Sequence, residues 1–450
     1  MPETYNLIVI GAGPGGHAAA EYAARLGARV AIIEKGQWGG TCSNRGCIPT
    51  KALLACSKQF ANLKKLKRLG ISTGEISFDY ASMKRHQRQM VTVSSLGAQK
   101  SLKDAGVSLI SGEGKIIAPH EVELISSEGS TQRLTADNLI IAWGSEPLLP
   151  PYIKASLRVL TSDGFLALET LPASIIIVGG SVIGVEFATF LAELGVQIIL
   201  VEFLDRILPN EDEEAADFLR RELTRLGIAI HTSTYVEAIE ETSDGVCLKA
   251  TQNGQIHEWT AGYALVCTGR KPLLHIDELN RCGIEYNQKG IIVNENQMTN
   301  KEGIYAIGDV TGGIMLAHRA IQQGKSVAGY LYGEPSITYR EDVVPSVIYT
   351  HPGIARVGLT EKQASEQGLK TEIRKVEYAA NIMARTDLKG TGFMKAIFCD
   401  DRLIGVTIAG DDAGELIASM SLAVANGMAK GELKKWIIPH PTLSEILQLI

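Results

Sequence analysis

Leu7-Ile8-Val9-Ile10-Gly11-Ala12-Gly13-Pro14-Gly15-Gly16 decides the fold class of this chain. Four consecutive apolar residues read as a strand, and the glycines turn it into a helical pattern that runs through Leu26. A second apolar run, residues 28–33, ends in Glu34. In Gly11-x-Gly13-x-x-Gly16 the glycines permit a tight turn, a close approach of backbone to pyrophosphate, and close packing of helix on strand. The N–H groups at the helix start would meet the phosphate charge. Glu34 can hydrogen-bond both hydroxyls of an adenosine ribose. A glycine triplet alone is weak evidence; the flanking strands and terminal acid make it the signature of a dinucleotide site.

The device occurs twice. Residues 175–178 lead into Gly179-Gly180-Ser181-Val182-Ile183-Gly184, a helical pattern follows through Leu194, and residues 196–201 end in Glu202. Two dinucleotide-binding domains follow from this repeat. Ser181 replaces the middle glycine, where its hydroxymethyl crowds a pyrophosphate slightly and can also donate to it. A carboxylate at Glu202 welcomes a free 2′-hydroxyl and repels a 2′-phosphate, which favours NAD(H) over NADP(H). An ordinary solvated acid at a strand end is the competing reading.

Outward from the two copies, the pattern divides the chain into residues 1–147, 148–270, 271–337 and 338–450. Residues 51–102 are polar and helix-favouring, and 107–142 read as short strands around Gly129. Pro147, Pro150 and Pro151 surround a boundary near 148–152. The last segment alternates strand-like runs with helical runs at 360–368 and 414–426, as expected of an α+β domain. The fold class is therefore α/β, with two Rossmann-like domains and a C-terminal α+β domain.

At 450 residues the chain can bury several cores. Lys and Arg total 44 against 50 acidic residues, a net charge of −6, so nothing supports nucleic-acid or anionic-membrane binding. The most apolar stretch, residues 174–196, is interrupted by Gly179, Gly180, Gly184, Glu186 and Glu193 and does not read as a membrane span. Met-Pro-Glu-Thr runs directly into a strand pattern, leaving no room for a signal peptide. Seven scattered cysteines (42, 47, 56, 247, 267, 282, 399) are unlike a secreted disulfide framework. A reducing, cytoplasmic setting is expected.

Cys42 and Cys47 stand apart from the other five, in Gly39-Gly40-Thr41-Cys42-Ser43-Asn44-Arg45-Gly46-Cys47-Ile48-Pro49-Thr50-Lys51. In a regular helix this spacing puts the partners about 140° apart around the axis and ~7.5 Å along it. A disulfide needs Cα atoms within about 7 Å, so the backbone must leave the helix path. Gly46 and Pro49 allow that, and a distorted local dithiol beside a cofactor site suggests a redox-active pair. Metal ligation and inert burial are the alternatives, but zinc sites show a second ligand pair, and none follows; no metal is expected. Lys51, one turn beyond Cys47, can stabilise a thiolate or a reduced flavin.

Near the end stand His440-Pro441-Thr442-Leu443-Ser444-Glu445. An imidazole with a carboxylate in reach is the arrangement of an oriented general base. Thr442 and Glu445 also spell a T-x-x-E capping box, which would by itself explain both.

In this order the motifs resemble the pyridine nucleotide-disulfide oxidoreductases, and most closely their dihydrolipoamide dehydrogenase branch. The likeness continues through Ile183-Gly184-Val185-Glu186, Thr268-Gly269-Arg270-Lys271-Pro272, Gly308-Asp309-Val310 and Met315-Leu316-Ala317-His318. Pro345-Ser346-Val347-Ile348-Tyr349-Thr350-His351-Pro352 and the His440–Glu445 segment complete it. The resemblance implies non-covalent FAD on the first copy, held by Gly11, Gly13, Gly16 and Glu34. Gly40, Thr41, Lys51, Gly114 and Gly144 would join them, with Asp309 on the ribityl chain and residues 315–318 (Met315, Leu316, Ala317, His318) beside it. It implies NAD⁺/NADH on Gly179, Ser181, Ile183, Gly184, Glu186, Glu202, Val236 and Gly269.

By the same resemblance Cys47 lies nearest the flavin, Cys42 exchanges with substrate, and Lys51 pairs with Glu186. His440 and Glu445 would serve the site of the other subunit of a homodimer, with His440 taking a proton from the substrate dithiol. As imidazolium, His440 would also favour a thiolate at Cys42. The expected substrate is a dihydrolipoyl arm on a carrier protein of a 2-oxo acid dehydrogenase or glycine-cleavage type complex. A glutathione- or mercuric-reductase-like activity, or a non-catalytic scaffold, are the rivals. Glu202-Phe203-Leu204 replaces the arginines of NADPH enzymes, and the last cysteine is Cys399, so no C-terminal pair exists. Trp143 stands where the family has a small Thr, residues 436–439 (Trp-Ile-Ile-Pro) are unusually apolar, and five residues follow Glu445.

Overall fold

Strand β1 (Glu3–Ile10) alternates its side chains between two faces, and from Leu7 to Ile10 both faces are buried. Leu7 and Val9 enter an apolar cluster with Ala19, Ala20 and Ala23 of helix α1 (Pro14–Arg25); Ile8 and Ile10 enter another with Ile116, Leu139 and Ile141. Small alanines let the helix lie close on the strand. The chain then returns as β2 (Val30–Glu34), parallel to β1 from Leu7 opposite Val30 to Ile10 opposite Ile33. Two helices follow, α2 (Gly40–Arg45) and α3 (Cys47–Leu63).

The computed structural model describes residues 3–450, and its contacts divide the chain into two units. The first takes in residues up to 52, 81–148 and 270–339. Its sheet adds β3 (Ser108–Ser111), β4 (Glu113–Ala118), β5 (Glu121–Ile125) and β6 (Thr131–Ile141). The strand order is β3-β2-β1-β6-β5-β4, with Ile304–Ala306 also beside β6. Around β1 the pairings are parallel, while β4 and β5 form an antiparallel flank. Doubly wound sheets bind ligands outside the carboxyl ends of their strands, which here is where the glycine loop lies.

The second unit comprises residues 53–80, 149–269 and 340–450. It repeats the device with β7 (Ser174–Val178), α4 (Val182–Glu193) and β8 (Gln197–Val201) in a five-stranded parallel sheet. A three-stranded antiparallel sheet follows, Thr234–Glu241, Val246–Gln252 and Gln255–Ala261. The C-terminal part is a five-stranded antiparallel sheet sharing a core with Ala413–Ala425, whose Leu416, Ile417 and Met420 pack with Val406 and Ile408. Helices occur at Glu361–Glu366 and Ala413–Ala425, as the apolar pattern predicts. Ile382–Thr386 and Lys430–Leu433 are additional; one turn is too short to show a period. Among the described residues no helix is long and apolar enough to cross a membrane.

Candidate active site

The two glycine loops are physically the same object. A Cβ at Gly16 would lie 2.0 Å from the carbonyl oxygen of Gly11, and one at Gly184 would lie 2.0 Å from that of Gly179. Only glycine permits this approach of helix to strand. At Gly13, by contrast, nothing lies within 4 Å of a Cβ position, and the first turn of α1 carries neither a side-chain cap nor an acid. Open space next to uncapped N–H groups fits a pyrophosphate. Helix Ala317–Tyr332 also starts uncapped, after half-buried Met315 and Leu316, and its Ala320 packs against Gly15. Ala317 is half-buried and His318 exposed.

Glu34 braces this loop, accepting from the N–H groups of Ala12 (2.8 Å) and Gly36 (2.7 Å). Asp309, in the short turn Gly308–Thr311, accepts a 2.6 Å bond from the Ser145 hydroxyl. Arg270 donates to both the hydroxyl and the carbonyl of Ser145, each at 2.8 Å. Gly144 is left-handed with open space at its Cβ position, and Gly114 lies on β4 against Ile33. Trp143 packs against His275, the rings tilted 53° with centroids 4.5 Å apart, and joins the sheet's apolar cluster, which is how the fold accommodates the indole.

The dithiol segment hangs from the same loop. The N–H of Gly39 donates to the Ala12 carbonyl at 3.1 Å, and a Cβ at Gly40 would lie 2.7 Å from Gly13 Cα. Thr41 is half-buried in α2. Gly46, at φ −142° and ψ −105°, breaks the helix between the cysteines, as their spacing requires. Both are half-buried thiols. The Cys42 thiol is pushed up, first by its hydrogen bond to Cys47, then by burial and by the charges of Cys47 and Asp309; Lys51 alone pulls it down. In the reduced pair these causes together favour the protonated form of Cys42.

In the second unit Glu202 is not a solvated acid: it is 8 % exposed and accepts from the N–H groups of Gly180 (2.6 Å) and Leu204 (2.7 Å). Ser181 is engaged within the protein. Its hydroxyl donates to the Cys267 carbonyl at 2.8 Å and accepts from the Gly184 N–H, capping α4. Ile183 is half-buried, Gly269 is left-handed with open space at its Cβ position, and Val236 is buried in the core beneath the antiparallel sheet. The buried Glu186 carboxylate accepts from the Tyr349 N–H at 3.0 Å. The sequence reading passed over an exposed aromatic cluster, in which Tyr235 touches Phe203 and Tyr152 at ring separations of 6.1 and 6.2 Å. Phe203 follows the strand-end acid directly, which is the signal that could have found it.

At the C-terminus Glu445 contacts both His440 and the Thr442 backbone, so the carboxylate half of the capping box forms without the Thr442 hydroxyl half. One carboxylate oxygen lies 2.8 Å from His440 Nδ1 and the other accepts from the Thr442 N–H at 2.9 Å. The Thr442 hydroxyl turns to the Pro439 carbonyl. The Glu445 carboxyl is held below the usual range, first by the Thr442 N–H and then by His440. The ring is 74 % exposed, and its held Nδ1 leaves Nε2 as the outward, basic nitrogen.

Residues 5–324 match the family model described as pyridine nucleotide-disulphide oxidoreductase, and residues 344–449 match that family's dimerisation domain. The chain belongs to this family. It is an oxidoreductase with a dimerisation domain at its C-terminal end. A dihydrolipoyl dehydrogenase of Bacillus subtilis is 37% identical over 451 residues, covering 99% of this chain and 95% of the relative. One from Chlamydia pneumoniae is 36% identical, covering 99% and 96%. Among solved structures, LpdA of Mycobacterium tuberculosis superposes with a TM-score of 0.93 at 28% identity, covering 98% of each chain. The HOCl-induced flavoprotein disulfide reductase RclA of Escherichia coli gives 0.88 at 28%, covering 99% of this chain and 98% of that one.

Proposed function

We propose that this family member is an FAD-dependent, NAD-linked dihydrolipoyl dehydrogenase. The observation that carries the reading is the Cys42–Cys47 pair, split by a helix break and tied through Gly39 to the first dinucleotide loop. Residues 1–147 and 271–337 would hold FAD, with Gly11, Gly13, Gly16, Glu34 and Asp309 as its main contacts. Residues 148–270 would hold NAD, with Gly179, Gly184 and Glu202. Residues 338–450 would form the homodimer contact. The bound flavin would supply the two-electron relay between dithiol and nicotinamide.

The protein's own steps follow from the side chains. A substrate thiolate attacks Cys42 Sγ of the oxidised pair, the disulfide opens, and Cys47 leaves as thiolate. The second substrate thiol, losing its proton to His440 Nε2 of a second copy, attacks the substrate sulfur held on Cys42. The product disulfide forms, and Cys42 departs with the electron pair and takes up the proton. Glu445 holds Nδ1 so that Nε2 accepts. The buried Glu202 carboxylate repels a 2′-phosphate, which selects NAD over NADP.

Relatives named dihydrolipoyl dehydrogenase support a dihydrolipoyl substrate; the partner would be a lipoyl-bearing carrier of a 2-oxo acid dehydrogenase or glycine-cleavage type complex, met in the cytoplasm. A panel of dihydrolipoamide, glutathione and Hg²⁺, each with NAD(H) and NADP(H), tests the assignment. Turnover confined to dihydrolipoamide with NAD⁺ is expected; preferred glutathione or Hg²⁺ reduction would replace it with the rival reductase.

A further inference from the structure

We propose that Asn44 is a positioning residue that couples the first glycine loop to the Cys42–Cys47 pair. The inference builds on the dithiol reading above and assigns a task to a side chain that reading does not use. Asn44 lies between the two cysteines, and its Nδ2 donates to three backbone carbonyls, those of Gln37 (3.2 Å), Trp38 (3.1 Å) and Gly40 (2.9 Å). Three acceptors around one nitrogen set the orientation of the amide. Turned over, its oxygen would face three carbonyl oxygens. Oδ1 is consequently fixed, buried and without a hydrogen-bond partner. The amide is needed for the three carbonyls that its donors hold.

The need is visible in the backbone. Gly39 and Gly40 are both left-handed, at φ 95° and 58°, and turn the chain as it enters α2, where the carbonyls of Gln37, Trp38 and Gly40 converge on Asn44. That segment is pressed on the glycine loop by the Gly39 N–H bond to Ala12 and by the close approach of Gly40 to Gly13. Helix α2 has six residues and no side-chain cap, too little to fix its own direction. The Asn44 amide reaches back across its first turn and ties it to the segment that grips the loop. The buried Ser43 accepts a 2.9 Å bond from the Ser94 hydroxyl and anchors α2 on its other side; on the side of the glycine loop, the position of Cys42 depends on the Asn44 amide.

The test uses the FAD-loaded protein, with Asn44→Ala, Asn44→Asp and Asn44→Ser beside the parent. The readouts are the long-wavelength thiolate-to-flavin band after two-electron reduction, its pH midpoint, FAD per chain, melting temperature and kcat. Asn44→Ala should keep FAD, lose much of the band, shift its midpoint, and lower kcat by about 10–100-fold. Asn44→Asp, which sets a carboxylate against the same carbonyls, should do the same, while Asn44→Ser, which keeps one donor, should recover part of the band. The proposal is overturned if Asn44→Ala retains the band, its midpoint and kcat within about twofold. Should Asn44→Ala not fold or not hold FAD, Asn44→Ser decides, and a parent-like band and midpoint there overturn it. A parent protein without the band overturns the dithiol reading and this inference with it.

Discussion

At the scale of single residues the chemistry rests on charge placed by short contacts. Replacing Cys42 or Cys47 by Ser should abolish oxidation of dihydrolipoamide by NAD⁺, because either change removes the disulfide. Glu445 is the depressed-carboxylate case. Its charge is present above the unfolded value, near pH 4.3, and is lost only as pH falls through the lower folded value. Across about pH 5 to 8 it should therefore stay ionised and keep His440 oriented, so Glu445→Gln should lower kcat by about 10–100-fold over that whole range. A kcat–pH profile of the two proteins checks this, and a variant with parental kcat throughout would reduce Glu445 to a helix cap. Phe203→Ala should raise KM for NAD⁺ by about three- to tenfold with kcat held, the value of one aromatic contact of about 0.5–1.5 kcal/mol. Steady-state kinetics with varied NAD⁺ decide it.

At the scale of elements, stability is concentrated where helices begin. Asp212 caps helix Glu213–Arg225 through the N–H groups of Glu214 and Ala215 and pairs at 3.0 Å with Lys395 on strand Gly392–Cys399. Both side chains are buried, 3 % and 5 % exposed. Burial alone would lower the Lys395 amine, yet Asp212 and Glu214 hold it above its ordinary value. Asp212→Ala removes the helix cap and leaves Lys395 with only the more exposed Glu214 (3.2 Å) and Glu361 (3.3 Å) as partners; it should cost about 1–3 kcal/mol, read as a lower denaturant midpoint at unchanged slope. Gly16→Ala should fail differently. Its Cβ meets the Gly11 carbonyl, so the protein should lose its yellow cofactor before it loses its fold, as shown by absorbance and circular dichroism on one sample.

At the scale of the whole molecule the chain is one nucleotide-binding idea used twice and followed by a dimerisation domain. Both loops, both strand-end acids and the split dithiol were legible in the sequence, because each depends on neighbours within about one βαβ unit. Local sterics dictate a glycine where a helix presses on a strand, and period-2 and period-3.6 patterns declare which elements flank it. The tertiary structure alone decided the rest. It turned the Ser181 hydroxyl to Cys267 rather than outward, buried Glu202 on two backbone N–H groups, and let one Glu445 carboxylate serve both His440 and Thr442. It also gathered Phe203, Tyr235 and Tyr152 from three separate stretches and bent three carbonyls toward Asn44. A hydrogen bond is decided by which partner comes within about 3 Å, and that choice is made by the packing of distant segments rather than by the residue that carries the donor.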